Sequence, residues 1–452
     1  MVIDFLLDRF QENRLNEAIV WSNTGFSYEW LLDAISKWNS KLEKEGIGKG
    51  RVVLLEADFS PNATALLLAL IIRETIIVPL SVAPELNREK FIEIAEAEIA
   101  IKVNVSDAVE ISRTGKKALH VYYETLRRDG HPGLVLFSSG STGKSKAAVH
   151  DFHKLLNKFR TRRHNLRTAA FLMFDHIGGI DTLLYSLSNV SCLVTLSGRS
   201  PDDICAAIEK YRVEVLPVSP TFLNLLILSE AYIRYDLASL KYITYGTEVM
   251  PEATLKKCSV IFPNATILQK YGTTEVGTLR SKSENSSSLW VKIGGEGYRI
   301  RVVNGLLQIK ADSAMMGYLN EQSPFTEDGW FITGDLVQQK GEFVRFLGRE
   351  SDVINVGGEK VNPAEVENVI REFENIAEAE VYGEKNPIVG NIICARVKLQ
   401  FSTDADDFVL RLKKHCLGRL PNFKVPVKIA VVSDWNYSER FKTIRKPSVQ
   451  EK

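Results

Sequence analysis

Over roughly the first 290 residues, short wholly apolar runs alternate with longer stretches of helical character. Val52-Val53-Leu54-Leu55 and Ile76-Ile77-Val78-Pro79-Leu80 are apolar at every position, as strands covered on both faces are. Between them, Pro61 to Ile72 is almost unbrokenly apolar and opens with proline, which predicts a buried helix. Cys192 to Leu196, Val213 to Leu216 and Tyr242 to Tyr245 read as further short strands, with a helix over Asp202 to Tyr211 among them. Repeated strand–helix units predict an α/β fold with largely parallel sheets.

From Trp290 to about Gly348 the period changes. Arg299-Ile300-Arg301-Val302-Val303, Leu306-Leu307-Gln308-Ile309-Lys310 and Glu342-Phe343-Val344-Arg345-Phe346 alternate polar and apolar positions, which predicts antiparallel, half-exposed strands. Then Asn362-Pro363-Ala364-Glu365 supplies a capping Asn, a first-turn Pro and an acid, a helix start. Val366, Val369, Ile370 and Phe373 share one face of that helix. Strand patterns at Ala377 to Val381 and Ile392 to Leu399, and a helix near Asp406 to Leu417, complete a smaller unit. The expected organisation is a large domain over residues 1–349, with parallel or mixed sheets, helices and a β-rich subdomain. A small α+β domain over 350–452 follows it.

A chain of 452 residues exceeds what one core serves, in keeping with two domains. Its 57 basic and 56 acidic residues nearly cancel, so charge gives no reason to expect nucleic acid as a partner. The basic cluster from Lys158 to Arg163 reads as a solvated helix end. Five scattered cysteines contain no Cys-x-x-Cys pair, which argues against a disulfide framework or zinc site and for reduced thiols in a cytoplasmic protein. Early charges at Asp4, Asp8 and Arg9 do not suit a signal peptide, and the run Ala63 to Ile72 is too short to span a bilayer.

The chemistry concentrates first at Ser138-Ser139-Gly140-Ser141-Thr142-Gly143-Lys144-Ser145-Lys146, which follows the apolar run Leu134 to Phe137. Such a loop presents N–H groups, hydroxyls and ammonium groups to phosphate. It ends in Gly-Lys-Ser like the P-loop of kinases, but the position five before Gly143 is Ser138 instead of Gly, so the P-loop spacing fails.

The loop closely resembles the phosphate-binding signature of the adenylate-forming superfamily: acyl- and aryl-CoA ligases, peptide-synthetase adenylation domains and luciferases. Only Ser145, in place of the usual Pro, departs from it. Tyr271-Gly272-Thr273-Thr274-Glu275 and Trp330-Phe331-Ile332-Thr333-Gly334-Asp335 resemble two further motifs of that superfamily, and Tyr245-Gly246-Thr247-Glu248 a third. The resemblance implies that Ser138, Ser139, Gly140, Ser141, Thr142, Gly143 and Lys146 cradle ATP. It implies Tyr271 with Gly272 and Thr273 against the adenine, Thr274 at the α-phosphate, and Glu275 on Mg²⁺. Gly246 and Thr247 would line the purine and acyl pocket, Asp335 would reach the ribose, and Arg349 the ribose or phosphate. Ser351 or Asp352 would be the hinge. Gly357 and Gly358 would form the loop that meets pantetheine. Phe441-Lys442-Thr443-Ile444-Arg445 fits the superfamily's terminal motif with Phe in place of Gly, which makes Lys442 the expected catalytic lysine, with Lys446 and Lys424 as alternatives.

Phe174-Asp175-His176-Ile177-Gly178-Gly179 resembles the CoA-ligase segment bordering the acyl pocket through His176 and Gly179, while Asp175 also resembles the amine-holding acid of amino-acid-adenylating domains. The expected activity is an ATP- and Mg²⁺-dependent acid–thiol ligase with a mobile small domain. It would form acyl-AMP from a small carboxylic acid and pass the acyl group to CoA or to the phosphopantetheine of a separate carrier protein. A luciferase-like oxygenase and a non-catalytic nucleotide-binding relative are the other readings.

Overall fold

The computed structural model describes residues 2–81, 85–139, 145–387, 389–435 and 437–438. The fold is α/β, with two seven-stranded sheets and a six-stranded antiparallel sheet in its larger part. In one sheet, Gly133–Ser139, Ile76–Leu80, Val52–Glu56 and Ile99–Val103 run parallel side by side. Val52 to Leu55 and Ile76 to Val78 are fully buried, as their unbroken apolarity requires. Helix Pro61–Ile72 packs there, with Ser60 accepting from the Ala63 N–H at its start and Pro61 in its first turn.

The second sheet runs parallel from Glu17–Trp21 through Leu193–Val194, Thr168–Ala169, Val215–Val218 and Tyr242–Tyr245 to Thr266–Gln269. Two expected strands are displaced. The Val213 N–H closes the preceding helix on Ile208 O, so the strand begins at Val215 and takes in Pro217. A proline is tolerated there because the strand meets Thr168–Ala169 only through Val215, leaving that flank open. Cys192 to Leu196 contracts to Leu193–Val194, since its neighbour Thr168–Ala169 is itself two residues long.

The six-stranded sheet includes Tyr298–Val303, Leu306–Ala311, Phe331–Lys340 and Phe343–Arg349. A single 3₁₀ turn, Glu350–Asp352, follows it. Beyond lie the hairpin Ile354–Val356/Glu359–Val361, helix Pro363–Arg371, and a three-stranded sheet backed by helix Ala405–Leu417. These enclose their own apolar core around Val366, Ile370, Val397, Phe408 and Leu412.

The basic cluster follows a short helix end and is solvated at Arg160, Arg162 and Arg163, whereas Lys158 turns inward. Helix Phe152–Leu156 gives way to a 3₁₀ turn, Asn157–Phe159. Lys158 reaches inward to the Asp181 carboxylate and donates to Thr278 O at 3.1 Å. Arg9, itself buried, donates to the Phe159 and Arg160 carbonyls.

Candidate active site

Sheet ends and loops meet in one cleft. Its wall includes Thr221, Thr247, Glu248, Lys270, Tyr271, Thr273, Asp335, Phe346 and Arg349 from the larger part. Asp352, Asn362, Glu367, Arg371, Glu378 and Glu380 line it from beyond the 3₁₀ turn. Tyr245 and Gln269 end adjacent parallel strands, so Gly246-Thr247 and Lys270-Tyr271 emerge at the carboxyl edge of the sheet, where open α/β sheets place ligands. Gly246 cannot be larger: a Cβ there would lie 2.7 Å from Lys270 O. Thr247 is β-branched yet has φ of +73°, a left-handed backbone that costs on the order of 1–3 kcal/mol and is tolerated mainly where function requires it.

The antiparallel register places Asp335 directly opposite Arg349. Arg349 Nε donates to Asp335 Oδ1 at 2.7 Å, and the Tyr271 phenol donates to Oδ2 at 2.6 Å. The Tyr271 ring stacks on Phe346 at 4.5 Å and 18°. Burial pushes the Asp335 carboxyl up, with Arg349 and the phenol opposing it. Burial and the nearby Asp335 charge raise the Tyr271 phenol well above its ordinary value. Two residues expected at the ribose are thus already an ion pair, and the residue expected at the adenine holds the same carboxylate.

Gly272–Thr273 pairs with Gly277–Thr278, and Thr274, Glu275 and Val276 form the turn between them. The Thr273 hydroxyl is out of solvent and has no hydrogen-bond partner among the described residues, an orphan that a bound ligand can satisfy. Glu275 Oε1 accepts from the Tyr318 phenol at 2.5 Å, and its backbone carbonyl accepts from Met315 N at 2.7 Å. Strand Gly317–Tyr318 pairs with Ser145–Asp151, Tyr318 opposite Ala148. That register also brings the Lys146 ammonium over the Tyr318 ring at 5.4 Å. The turn and the far arm of the Ser/Gly loop therefore converge through Tyr318, which the motifs did not single out. A carboxylate such as Glu275 is a hard oxygen donor; Mg²⁺ in nucleotide sites takes one or two carboxylates plus phosphate oxygens, so this residue fits the cation.

Ser138 and Ser139 end strand Gly133–Ser139, which pairs antiparallel with Ser145–Asp151, Ser138 opposite Lys146. A strand–loop–strand hairpin is not the strand–loop–helix of a P-loop, in accord with the failed spacing. Gly140, Ser141, Thr142 and Gly143 lie outside the described residues, as do Lys442 and Lys446. Lys424 is committed elsewhere, donating to both Glu365 oxygens at 2.7 and 2.8 Å.

His176 does not line this cleft. It caps helix Ile177–Ser188, its Nδ1 accepting from Gly178 N at 3.1 Å. Gly179 must lack a side chain, because a Cβ would lie 2.0 Å from Met173 O. Gly357 and Gly358 turn the hairpin Ile354–Val356/Glu359–Val361, with φ of +59° and +92°. They are exposed, tied to Val389 O and Asn355 Oδ1, and are not part of the cleft. Helix Pro363–Arg371 and strand Ile376–Asn386 face it instead. Of the two hinge candidates, Asp352 lines the cleft and Ser351 does not.

Residues 8–319 match the AMP-binding enzyme family, and 365–442 match the AMP-binding enzyme C-terminal domain. The indoleacetate–CoA ligase of Aromatoleum aromaticum is 27% identical over 331 residues, 67% of this chain and 64% of that enzyme. The chain thus spans just under two thirds of that relative. The 2-succinylbenzoate–CoA ligase of Bacillus licheniformis is 25% identical over 377 residues, 75% of this chain and 77% of that one. In fold, the crystal structure of the anthranilate CoA ligase AuaEII in complex with anthranoyl-AMP has a TM-score of 0.83 at 16% identity, covering 98% of this chain and 95% of that one.

Proposed function

The chain belongs to the AMP-binding enzyme family, and from that premise we propose that it is an ATP-dependent acid–thiol ligase. A carboxylate attacks the α-phosphate of ATP, pyrophosphate leaves, and a thiol then takes the acyl group from acyl-AMP. CoA is the favoured thiol because indoleacetate and 2-succinylbenzoate relatives are named as CoA ligases. The observation that carries the reading is the joining of Tyr271, Asp335 and Arg349 in one cleft. Tyr271 and Asp335 are 64 residues apart in sequence yet share a hydrogen bond beside the orphan Thr273 hydroxyl.

In this reading Tyr271 and Phe346 stack beside the adenine, and Asp335 and Arg349 meet the ribose. Thr274 and the Ser138–Lys146 hairpin hold phosphate oxygens. Positioned N–H and O–H donors are what charge developing at phosphorus requires. Glu275 would hold Mg²⁺, which when bound supplies neutralising charge at the phosphate oxygens. Residues 350–452 are the moving unit, and Lys442 donates to the carboxylate and α-phosphate during the first half-reaction. Rotation of that unit brings Gly357-Gly358 to the thiol channel for the second. Five buried, unpaired thiols accord with a reducing compartment such as the cytoplasm.

The test is ATP-dependent pyrophosphate release across a panel of carboxylic acids, with hydroxylamine trapping the adenylate. AMP and a hydroxamate are the expected products. Formation of ADP, or no pyrophosphate with any acid despite ATP binding, would overturn the reading.

A further inference from the structure

Strand Ser145–Asp151, the far arm of the Ser/Gly hairpin, has a neighbour on each side. On one side runs Gly133–Ser139, with Ser138 opposite Lys146; on the other runs the short strand Gly317–Tyr318. The Met316 N–H donates to Val149 O at 2.7 Å and the Leu319 N–H to Ala147 O at 2.9 Å, so this second neighbour follows the arm toward the loop. Past Leu319 a side chain takes the place of backbone. The Asn320 carboxamide oxygen accepts from Ala147 N at 3.0 Å, and its Nδ2 donates to Ser145 O at 2.9 Å.

One planar amide therefore spans the two residues that flank Lys146. The Lys146 side chain is met by the residues on either side of that amide's own segment: its ammonium lies over the Tyr318 ring at 5.4 Å and 3.7 Å from Glu321 Oε2. Backbone groups of successive strand residues point to alternate sides. Those of Ser145 and Ala147 face Asn320, and those of Lys146 face Gly133–Ser139. Ser145 is also where the chain departs from the phosphate-loop signature. The usual proline would fix φ at about −65° and, on this side of the strand, would remove no bond of the ladder to Gly133–Ser139. Serine leaves that torsion free. The direction of the arm at Lys146 then depends on what holds its outer edge, and Asn320 supplies both bonds there.

We propose that Asn320 is a positioning residue for ATP: its carboxamide fixes the hairpin arm that aims Lys146 at the phosphates, the constraint that proline at 145 would otherwise provide. The inference rests on reading the hairpin as the phosphate site and concerns only that end of the nucleotide. It acts through Lys146, so its effect falls on ligands that carry phosphates and leaves the nucleoside contacts of Tyr271, Phe346 and Asp335 as they are.

The experiment measures equilibrium binding of ATP and of adenosine by calorimetry, together with melting temperature and acid-dependent pyrophosphate release, on the full chain and its variants. Asn320→Ala should weaken ATP about tenfold, the scale of two neutral hydrogen bonds at an exposed edge, and adenosine by less than about twofold. Ser145→Pro alone should change ATP affinity less than about twofold, yet in the Asn320→Ala background it should restore affinity to within about threefold of the full chain. In a Lys146→Met background, Asn320→Ala should cost no more than about twofold further, as coupled residues require. Equal weakening of ATP and adenosine overturns the proposal, as does a lowered melting temperature with ATP affinity unmoved, since either makes the carboxamide a brace of the fold alone. Failure of Ser145→Pro to rescue, or full additivity with Lys146→Met, overturns it too. The expected ATP pattern with no pyrophosphate from any acid sinks the ligase reading and spares this inference. Pyrophosphate release with ATP affinity unmoved in Asn320→Ala does the reverse, and a full chain that binds no ATP sinks both.

Discussion

Asn224→Ala separates the two halves of the proposed reaction. From helix Pro220–Ser229, the Asn224 amide donates to Ala377 O at 3.0 Å and to Glu378 Oε1 at 2.9 Å on strand Ile376–Asn386. It thereby ties the larger part of the chain to the smaller. Glu378 is 2% exposed and also accepts from Arg371 Nη2 at 2.9 Å and the Tyr437 phenol at 3.0 Å. Tyr437 lies five residues before Lys442 in sequence. The alanine removes one neutral hydrogen bond, worth about 1 kcal/mol, and one to a charged acceptor, worth about 2 kcal/mol. Glu378 keeps Arg371 and Tyr437, so no buried charge is stranded. A loss of about 3 kcal/mol lowers the ratio of docked to undocked small domain by roughly a hundredfold. ATP–pyrophosphate exchange should then fall about 10- to 100-fold, while thioester formation from supplied acyl-AMP changes less than about threefold. Equal loss in both assays, or unchanged exchange with the acid and ATP saturating, would refute the assignment of this docked arrangement to adenylation.

Four further expectations follow from the same geometry. Lys442→Ala should lower exchange by roughly 10²–10³, the scale of a lost charge-stabilising donor, and leave the thioester step from supplied acyl-AMP intact. Gly358→Leu should do the reverse, since its φ of +92° and exposed hairpin accept no side chain without strain; an unaltered thioester rate excludes that loop. Tyr318→Phe removes the phenol that holds Glu275 and should raise the Mg²⁺ concentration needed for ATP binding about tenfold, read by titrating a fluorescent ATP analogue. His150 is fully buried beside Thr274 and Glu275, and burial pushes its imidazole down to about 4 from the ordinary 6.5. The unfolded chain therefore binds the extra proton first, so unfolding free energy should fall as pH drops from about 6.5 to 4, by about 3 kcal/mol from this group. Denaturation midpoints across that window, compared with His150→Gln, measure its share; identical slopes would refute it.

Much of the fold was legible because burial leaves a strong pattern. Strands Val52–Glu56 and Ile76–Leu80 are covered on both faces, and their sequence says so. Helix Pro363–Arg371 announces itself through Asn362, which accepts from Ala364 N at 3.0 Å, and Pro363 in its first turn. Errors arose where tertiary neighbours set the boundary. Val213 is apolar enough for a strand but is used to finish a helix, and Lys158 looks solvated until Asp181 arrives from another helix. The site divided in the same way. Tyr271, Thr273, Asp335 and Arg349 sit inside motifs, whereas Tyr318 and Phe346 acquire their places only through register and packing across distant strands.

The cleft holds two kinds of polar group, and the difference bears on binding. Asp335 and Glu378 are engaged, whereas the Thr273 hydroxyl has no partner among the described residues. Engagement does not close Asp335 to a ribose. A carboxylate offers roughly four lone-pair sites, and Arg349 Nε and the Tyr271 phenol occupy two. Two ribose hydroxyls can donate to the rest without displacing either. The existing pair then holds the carboxylate rigid for the incoming diol and reduces the ordering cost of binding. The unpartnered Thr273 hydroxyl acts in the opposite sense, since it gains a partner only from a ligand. The strained Thr247 backbone, at φ +73°, lines the same cleft. The nucleoside end of the cleft is thus preorganised by internal pairing, while the Thr273 hydroxyl is left for the ligand to satisfy.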